Sequence, residues 1–215
     1  MKFLSITKKD LKLELRDRQT FNFMFLFSLI TLMLFSYTLS FKELSVISPQ
    51  LLWFIFLFSA MLSLSKSFLR EKEWGTLEGL KLAPIKETSI LAGKIIFNLI
   101  LLYTIQMIIF PLSVIIFNIH IKSLLTPILV LTLGNLGLAI IGSTFSSFTL
   151  KSKVKELILP ITFLPVSFPF LTISTIALEK SFLGQQITKE ILLMAIYIIA
   201  VATISLSTFS YLMED

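Results

Sequence analysis

The sequence lacks cysteine and contains a single histidine, His120. Without cysteine there can be no disulfides, thiolate metal sites, iron–sulfur clusters or cysteine nucleophile, and one histidine cannot build a multi-histidine metal site. Charge is also scarce, at 15% of residues, against about a quarter in ordinary soluble domains. With 55% hydrophobic residues and a mean hydropathy of +0.90, a soluble fold of this size would expose too much apolar surface and is excluded.

Long segments without charged residues make up most of the chain. Six runs are each long enough to cross a hydrocarbon core of roughly 30 Å. We therefore predict an all-α integral membrane protein, residues 1–215 forming a single transmembrane domain. The first run is too long for the apolar core of a cleavable signal peptide. The predicted spans cover about 21–41, 46–66, 90–117, 124–149, 157–178 and 191–212.

The basic residues are concentrated on one side of the predicted spans. Fifteen of the 19 Lys and Arg residues precede span one, lie between spans two and three, or lie between spans four and five. The positive-inside rule places that side, with both termini, in the cytoplasm. The net charge of +6 is then a topology signal, and no nucleic-acid partner is expected.

Residues 1–20 are predicted to form an amphipathic helix on the cytoplasmic leaflet. Leucines fall on one face at helical spacing and basic residues on another, namely Leu4, Leu11 and Leu15 against Lys8, Lys12 and Arg16. The alternative interpretation is a solvated tail.

No predicted span carries a charge near its middle. Lys94 lies about one turn inside span three, where we expect it to snorkel to the surface. Ion-coupled transporters usually need intramembrane charges, and the sequence has neither HExxH nor GxSxG for hydrolysis. His120, at the outer end of span three, has two interpretations that stay open: an interfacial polar residue or an axial haem ligand.

Several uncharged residues inside the spans are typical of helix packing. Asn98, Gln106 and Asn135 are expected to bond to neighbouring helices. The small residues between Gly134 and Ser147 allow close helix approach, either within one subunit or between subunits. The prolines of span five kink a helix, beside a pathway or as a packing irregularity: Pro160, Pro165 and Pro169.

The cytoplasmic connection between spans two and three, residues 66–87, has the most ordered pattern. A glycine permits a sharp turn, a threonine provides an N-cap, two leucines share a face, and a proline ends the helix. We predict a short coupling helix parallel to the membrane that docks in a groove of a cytoplasmic protein; a plain connecting loop is the alternative. The candidate coupling residues are Glu71, Glu73, Gly75, Thr76, Leu77, Glu78, Leu80 and Pro84.

These features together resemble a known family. An amphipathic helix, two spans, an E-x-E-x-G-x-L-E-x-L-x-x-x-P loop and a lysine near the start of span three are similar to ABC type-2 permeases. The chain resembles more closely the haem exporter B (CcmB) family of cytochrome c maturation, over essentially its whole length. The stretches that carry the resemblance are residues 47–94, 131–148 and 156–171.

The resemblance implies a non-catalytic permease subunit of the cell inner membrane, present as a homodimer. It implies a cytoplasmic ABC ATPase similar to CcmA, coupled through the 71–84 loop, and a haem-handling membrane subunit similar to CcmC. No cofactor is bound directly; haem is a pathway substrate and ATP acts through the partner. The output is haem delivery to apocytochrome c, by moving haem or by releasing a haem-loaded chaperone. The alternatives are a type-2 permease for a lipid, glycan or drug, and a non-transport assembly scaffold.

Overall fold

The computed structural model describes residues 2–67, 71, 75–76, 79, 85–148 and 155–214. Within those ranges the chain forms seven long helices and no strand, and this confirms the predicted all-α fold. Six of the helices, α2 to α7, are long and apolar enough to cross a membrane. The helices are α1 (Lys2–Asp17), α2 (Gln19–Thr38), α3 (Phe41–Ser67), α4 (Glu87–Ile116), α5 (Leu125–Phe148), α6 (Lys155–Phe182) and α7 (Thr188–Glu214).

Four of the spanning helices, α3, α4, α6 and α7, extend past the charge-free segments and carry charged residues in their end turns. α3 shows how this happens, since it begins at Phe41. The Ser40 backbone N–H donates to Glu43 Oε2 at 2.9 Å, and the Glu43 N–H donates to Ser40 Oγ at 3.4 Å. This reciprocal pair is a capping box, so a serine and a glutamate start the helix ahead of its apolar part.

α3 and α5 lie at the centre of the bundle, and α2 and α7 lie at its periphery. The core contains fully buried aromatic and aliphatic side chains such as Phe56 of α3, Leu138 of α5 and Phe170 of α6. On α2 and α7 many large apolar side chains face outwards, Ile30 and Ile199 among them. That distribution is typical of a bundle whose outer surface lies in lipid rather than in water.

The small residues of α5 pack inside this subunit. A Cβ atom built on Gly134 lies 1.8 Å from Trp53 Cη2, and one on Gly137 lies 2.2 Å from Phe170 Cζ. Glycine is therefore required for α3 and α6 to approach α5 this closely. Of the two interpretations left open by the sequence, the structure supports packing within one subunit.

Buried amides link the central helices, as predicted. Ser63 Oγ of α3 donates to Asn98 Oδ1 at 2.9 Å, and Asn98 Nδ2 donates to Ser143 Oγ of α5 at 3.1 Å. Asn135 Nδ2 donates to Gln106 Oε1, joining α5 to α4. These hydrogen bonds satisfy polar groups that have no water to bond inside a membrane.

The prolines of α6 lie inside one continuous helix. The Tyr197 hydroxyl of α7 donates to the backbone carbonyl of Val166 at 2.5 Å, three residues before Pro169. Proline weakens the helical hydrogen bonds of the preceding turn. A side chain from α7 thus supplies a donor to the proline-containing segment.

The two ends of the bundle are distinguished by their contacts. At one end Ile6 of α1, Ile90 and Leu91 of α4, and Phe209 of α7 form a small separate core. At the other end the Lys122 N–H before α5 donates to the carbonyl of Phe182, at the end of α6, at 3.4 Å. The first end therefore holds α1, the start of α4 and the end of α7.

Candidate functional site

The structure describes three of the eight predicted coupling residues, Glu71, Gly75 and Thr76. The other five lie outside the described residues, so their predicted roles remain predictions: Glu73, Leu77, Glu78, Leu80 and Pro84. The predicted coupling helix falls largely on that part of the chain. What the structure does define is the entry to this loop and the way in which it is attached to the bundle.

A tight turn at Gly75 follows Glu71. Gly75 has φ +65°, a left-handed conformation that L side chains rarely adopt. The Thr76 N–H donates to the Glu71 carbonyl at 3.0 Å, which brings the two residues together across the turn. The Thr76 hydroxyl donates to the same carbonyl at 3.3 Å. The predicted sharp turn is therefore present, and the Thr76 side chain helps to close it.

Glu71 belongs to a buried cluster of charged side chains. Lys94 Nζ lies 3.0 Å from Glu71 Oε1 and 3.0 Å from Asp10 Oδ2, and Lys9 Nζ lies 2.6 Å from Glu71 Oε1. The side chain of Lys94 is 2% exposed, that of Glu71 6% and that of Asp10 8%. Three segments distant in sequence thus meet at one ammonium group.

The expectation that the Lys94 side chain snorkels to the membrane surface is wrong. Its side chain is almost completely buried, because the carboxylates of Asp10 and Glu71 lie 3.0 Å from its ammonium group. A buried charge needs such partners, since loss of water costs several kcal/mol for each ion. Lys94 therefore bonds inside the protein instead of reaching towards the headgroups.

The electrostatics of Glu71 and Lys9, which both lie outside the spans, agree with this geometry. Burial alone would raise the pKa of Glu71, but the nearby Lys94 and Lys9 ammonium groups outweigh it and hold that pKa below its usual 4.5. Burial alone would lower the pKa of Lys9, but Asp10 and Glu71 outweigh it and hold that pKa above 10.5. Glu71 and Lys9 are therefore both ionised at neutral pH, and their opposite charges attract.

α1 packs on the start of α4 through its mixed polar face. Thr7 Oγ1 donates to the Gly93 carbonyl at 3.0 Å, and a Cβ atom on Gly93 would lie 2.9 Å from Ile6 Cβ. Asp10 and Glu14 are buried on the same face, and Glu14 Oε1 accepts a hydrogen bond from the Phe21 N–H at 2.8 Å. Glycine at position 93 is what permits this close contact.

The opposite face of α1 keeps the character predicted for an interfacial helix. Leu4 and Leu15 are 50% and 69% exposed, and Leu11 is half-buried. The basic side chains beside them are exposed as well: Lys8, Lys12 and Arg16. Apolar and basic residues on one free helix surface are suited to a lipid headgroup region. Contact with α4 argues against a solvated tail.

The far end of the bundle has a second polar region. His120 is exposed and lines a cavity of about 360 Å³ together with Glu179 and Phe182. Over the described residues there is no group of three or more His, Cys, Asp or Glu side chains arranged to hold a metal ion. The geometry leaves both interpretations of His120 open.

The fold and the site together define a class: an all-helical, multi-pass membrane protein in which an N-terminal helix and the loop after α3 are both anchored to the start of α4. The chain belongs to the CcmB family, since the family model described as CcmB protein matches residues 1–213. No curated protein matches the chain.

Membership of this family has functional consequences. It implies an ABC-type permease in haem export for cytochrome c maturation, which works with an ATPase partner. Subunits of this kind are membrane permeases and generally non-catalytic.

Proposed function

We propose that this chain is the membrane subunit of an ABC complex that delivers haem for the biogenesis of c-type cytochromes, driven by a separate cytoplasmic ATPase. The observation that carries the proposal is the match of a six-span chain to the CcmB family over nearly its whole length. The protein lies in the cell inner membrane with both termini in the cytoplasm, in agreement with the distribution of its basic residues.

The ATPase docks on the loop after α3. Its coupling residues are the eight named from the sequence, with Leu77 and Leu80 filling a groove on the partner and the acidic residues anchoring the loop. The buried position of Glu71, paired with Lys94 and Lys9, supports an anchoring role for that glutamate.

We propose the remaining partners by analogy with the family. Two copies of the chain bind two copies of a CcmA-like ATPase, and a CcmC-like subunit handles haem beside them. Haem is the substrate of the pathway rather than a resident cofactor, and ATP is bound and hydrolysed by the partner. The sequence supports this division of labour, because it has no G-x-x-x-x-G-K-[ST] loop to hold a nucleotide.

Genetic complementation tests this function. We expect the chain, expressed with its own ATPase, to restore covalent haem attachment to a c-type cytochrome in a host whose CcmB gene is deleted. A matched strain in which the ATPase carries an inactivated phosphate-binding lysine is expected to fail. Normal attachment in that control would favour a non-transport scaffold, and failure of the intact pair, with export of a lipid or drug instead, would favour another type-2 permease.

A further inference from the structure

The cluster around Lys94 is an unusual use of charge. Ion pairs this deeply buried are weak evidence of stability, because the cost of desolvation offsets their attraction. Lys94, Glu71 and Asp10 come from α4, the loop and α1 respectively, so the pairs fix three segments relative to one another. The most direct consequence of these ion pairs is that they hold the loop, α1 and the start of α4 in fixed relative positions.

Other contacts hold the same segments together. The Thr7 hydroxyl is bonded to the Gly93 carbonyl, and Ile6 packs against Ile90 and Leu91 in the small core. α1 is thus attached to the first turns of α4 by an apolar contact, a hydrogen bond and an ion pair. Because three kinds of contact act over one short interface, α1 has little freedom to slide along α4.

The start of α4 leads directly to the centre of the bundle. Asn98 lies four residues after Lys94 and therefore on the same face of α4. Its side chain bonds to Ser63 of α3 and Ser143 of α5. A displacement of Lys94 would therefore also move Asn98, one helical turn further along α4, and with it the hydrogen bonds to α3 and α5, the two most buried spans.

We propose that Lys94, Asp10 and Glu71 are positioning residues that join the loop after α3, α1 and the start of α4 into one rigid transmission unit. When the partner ATPase displaces the loop, α1 and α4 move with it, and Asn98 passes the movement to α3 and α5. The source of the displacement rests on the proposed function; the rigidity of the unit does not.

Hydrogen exchange on the purified chain alone tests the rigidity. Glu71→Gln keeps the size of the side chain and removes its charge, so we expect faster exchange of the backbone amides of α1 that face α4. The matched control is Glu190→Gln, which neutralises the pair with Lys180, 2.6 Å away at the other end of the bundle, and it is expected to leave α1 unchanged. Unaltered exchange of α1 in Glu71→Gln would overturn the proposal.

Cross-linking in the complex tests whether the unit moves as one body. The chain has no native cysteine, and Ile6 packs with Ile90 in the small core between α1 and α4, so Ile6→Cys/Ile90→Cys places two thiols at this contact for disulfide formation. We expect oxidation of this variant to cause no loss of ATP-driven cytochrome c assembly relative to its reduced form and to either single variant. A loss on oxidation that reduction reverses would show that α1 slides on α4, and the rigid unit would be refuted.

The coupling ratio separates positioning from mere folding. In Glu71→Gln we expect the ATPase to remain bound and to hydrolyse ATP, while fewer cytochromes are matured for each ATP consumed; Glu190→Gln is expected to keep the normal ratio. An equal decrease in bound ATPase and in output would assign Glu71 a structural role only. If the unaltered chain binds no ATPase, the proposed function fails, and the hydrogen-exchange result alone decides the rigid unit.

Discussion

At the scale of single residues, Lys94 shows how a charge is tolerated at the edge of a membrane span. Its ammonium group lies within 3.0 Å of a carboxylate from α1 and of another from the loop. Removing the most buried member of such a cluster leaves the others only partly compensated, whereas neutralising the buried charges together avoids that cost.

Lys94→Met is therefore expected to destabilise the protein by up to about 3–5 kcal/mol, because it leaves the buried Asp10 and Glu71 with only Lys9, whose side chain is 43% exposed, as a cation. The triple variant Lys94→Met/Asp10→Asn/Glu71→Gln is expected to recover most of this loss. Thermal unfolding in a mild detergent measures both effects.

Lys180→Met is the matched control for this series. Lys180 also pairs with a glutamate, but its own side chain is 37% exposed. Glu190 is 9% exposed but lies in the first turn of α7, where the helix dipole favours a carboxylate. The loss of Lys180 is therefore expected to cost about 1 kcal/mol. Equal destabilisation by Lys94→Met and Lys180→Met would contradict the buried-cluster account.

At the scale of helices, α5 is held by close contacts that only glycine allows. Alanine stabilises a helix by about 1 kcal/mol relative to glycine. A Gly→Ala change that lowers stability therefore shows that there is no room for the added methyl group. Gly137 has the Phe170 ring within 2.2 Å of its missing Cβ, whereas nothing lies within 4 Å of the corresponding position on Gly79.

Gly137→Ala is expected to destabilise the bundle by about 1–3 kcal/mol, the usual cost of overpacking a core. Gly79→Ala, the matched control, is expected to leave stability unchanged or slightly higher. The midpoints of thermal unfolding of the two variants provide the comparison. A Gly137→Ala protein as stable as the parent would mean that α6 does not pack on α5 as described.

The orientation of the helices is open to direct labelling. Lys42 and Lys122 are exposed at one end of the bundle, and Lys86 is exposed at the other. The distribution of basic residues predicts that the second end lies in the cytoplasm. Cysteines at positions 42 and 122 are therefore expected to react with an impermeant reagent added outside intact cells. A cysteine at position 86 is expected to react only after lysis. The opposite pattern would reverse the topology.

Much of the element level could be predicted from the sequence. Long charge-free segments identify α2 to α7, because lipid allows only internally bonded helices, and the leucine and lysine spacing of residues 1–20 identifies α1. The contact between α1 and α4 was missed because Asp10, Glu71 and Lys94 are far apart in the chain, and no local pattern pairs them. The available signal was that Thr7, Asp10 and Glu14 share a helical face beside the leucines and opposite Lys12.

At the scale of the whole molecule, burial of the small residues of α5 changes which surface is available for a second copy. Gly134 and Gly142 contact Trp53 and Leu64 of the same chain, so the proposed homodimer needs another contact. α2 is one of the two least buried spans, and its exposed apolar side chains include Phe23, Ile30 and Leu34.

We expect native mass spectrometry of the active complex to show two copies of the chain. Charged substitutions on the outer face of α2, such as Ile30→Lys, are expected to reduce that number to one, whereas the same change at Ile199 on the outer face of α7 is expected to have no effect. A single copy in the unaltered active complex would refute the homodimer.

Binding of a separate ATPase through the loop after α3 is tested most directly by co-purification in mild detergent. We expect the unaltered chain to retain the ATPase, and Leu77→Asp/Leu80→Asp to release it while the protein still inserts into the membrane, because burial of two leucines contributes at most about 3–6 kcal/mol to docking. The matched control, Leu124→Asp/Leu125→Asp, changes two exposed leucines at the opposite end of the bundle and is expected to retain the ATPase. Retention of the ATPase by the Leu77/Leu80 variant, or its absence from the unaltered chain, would contradict the account.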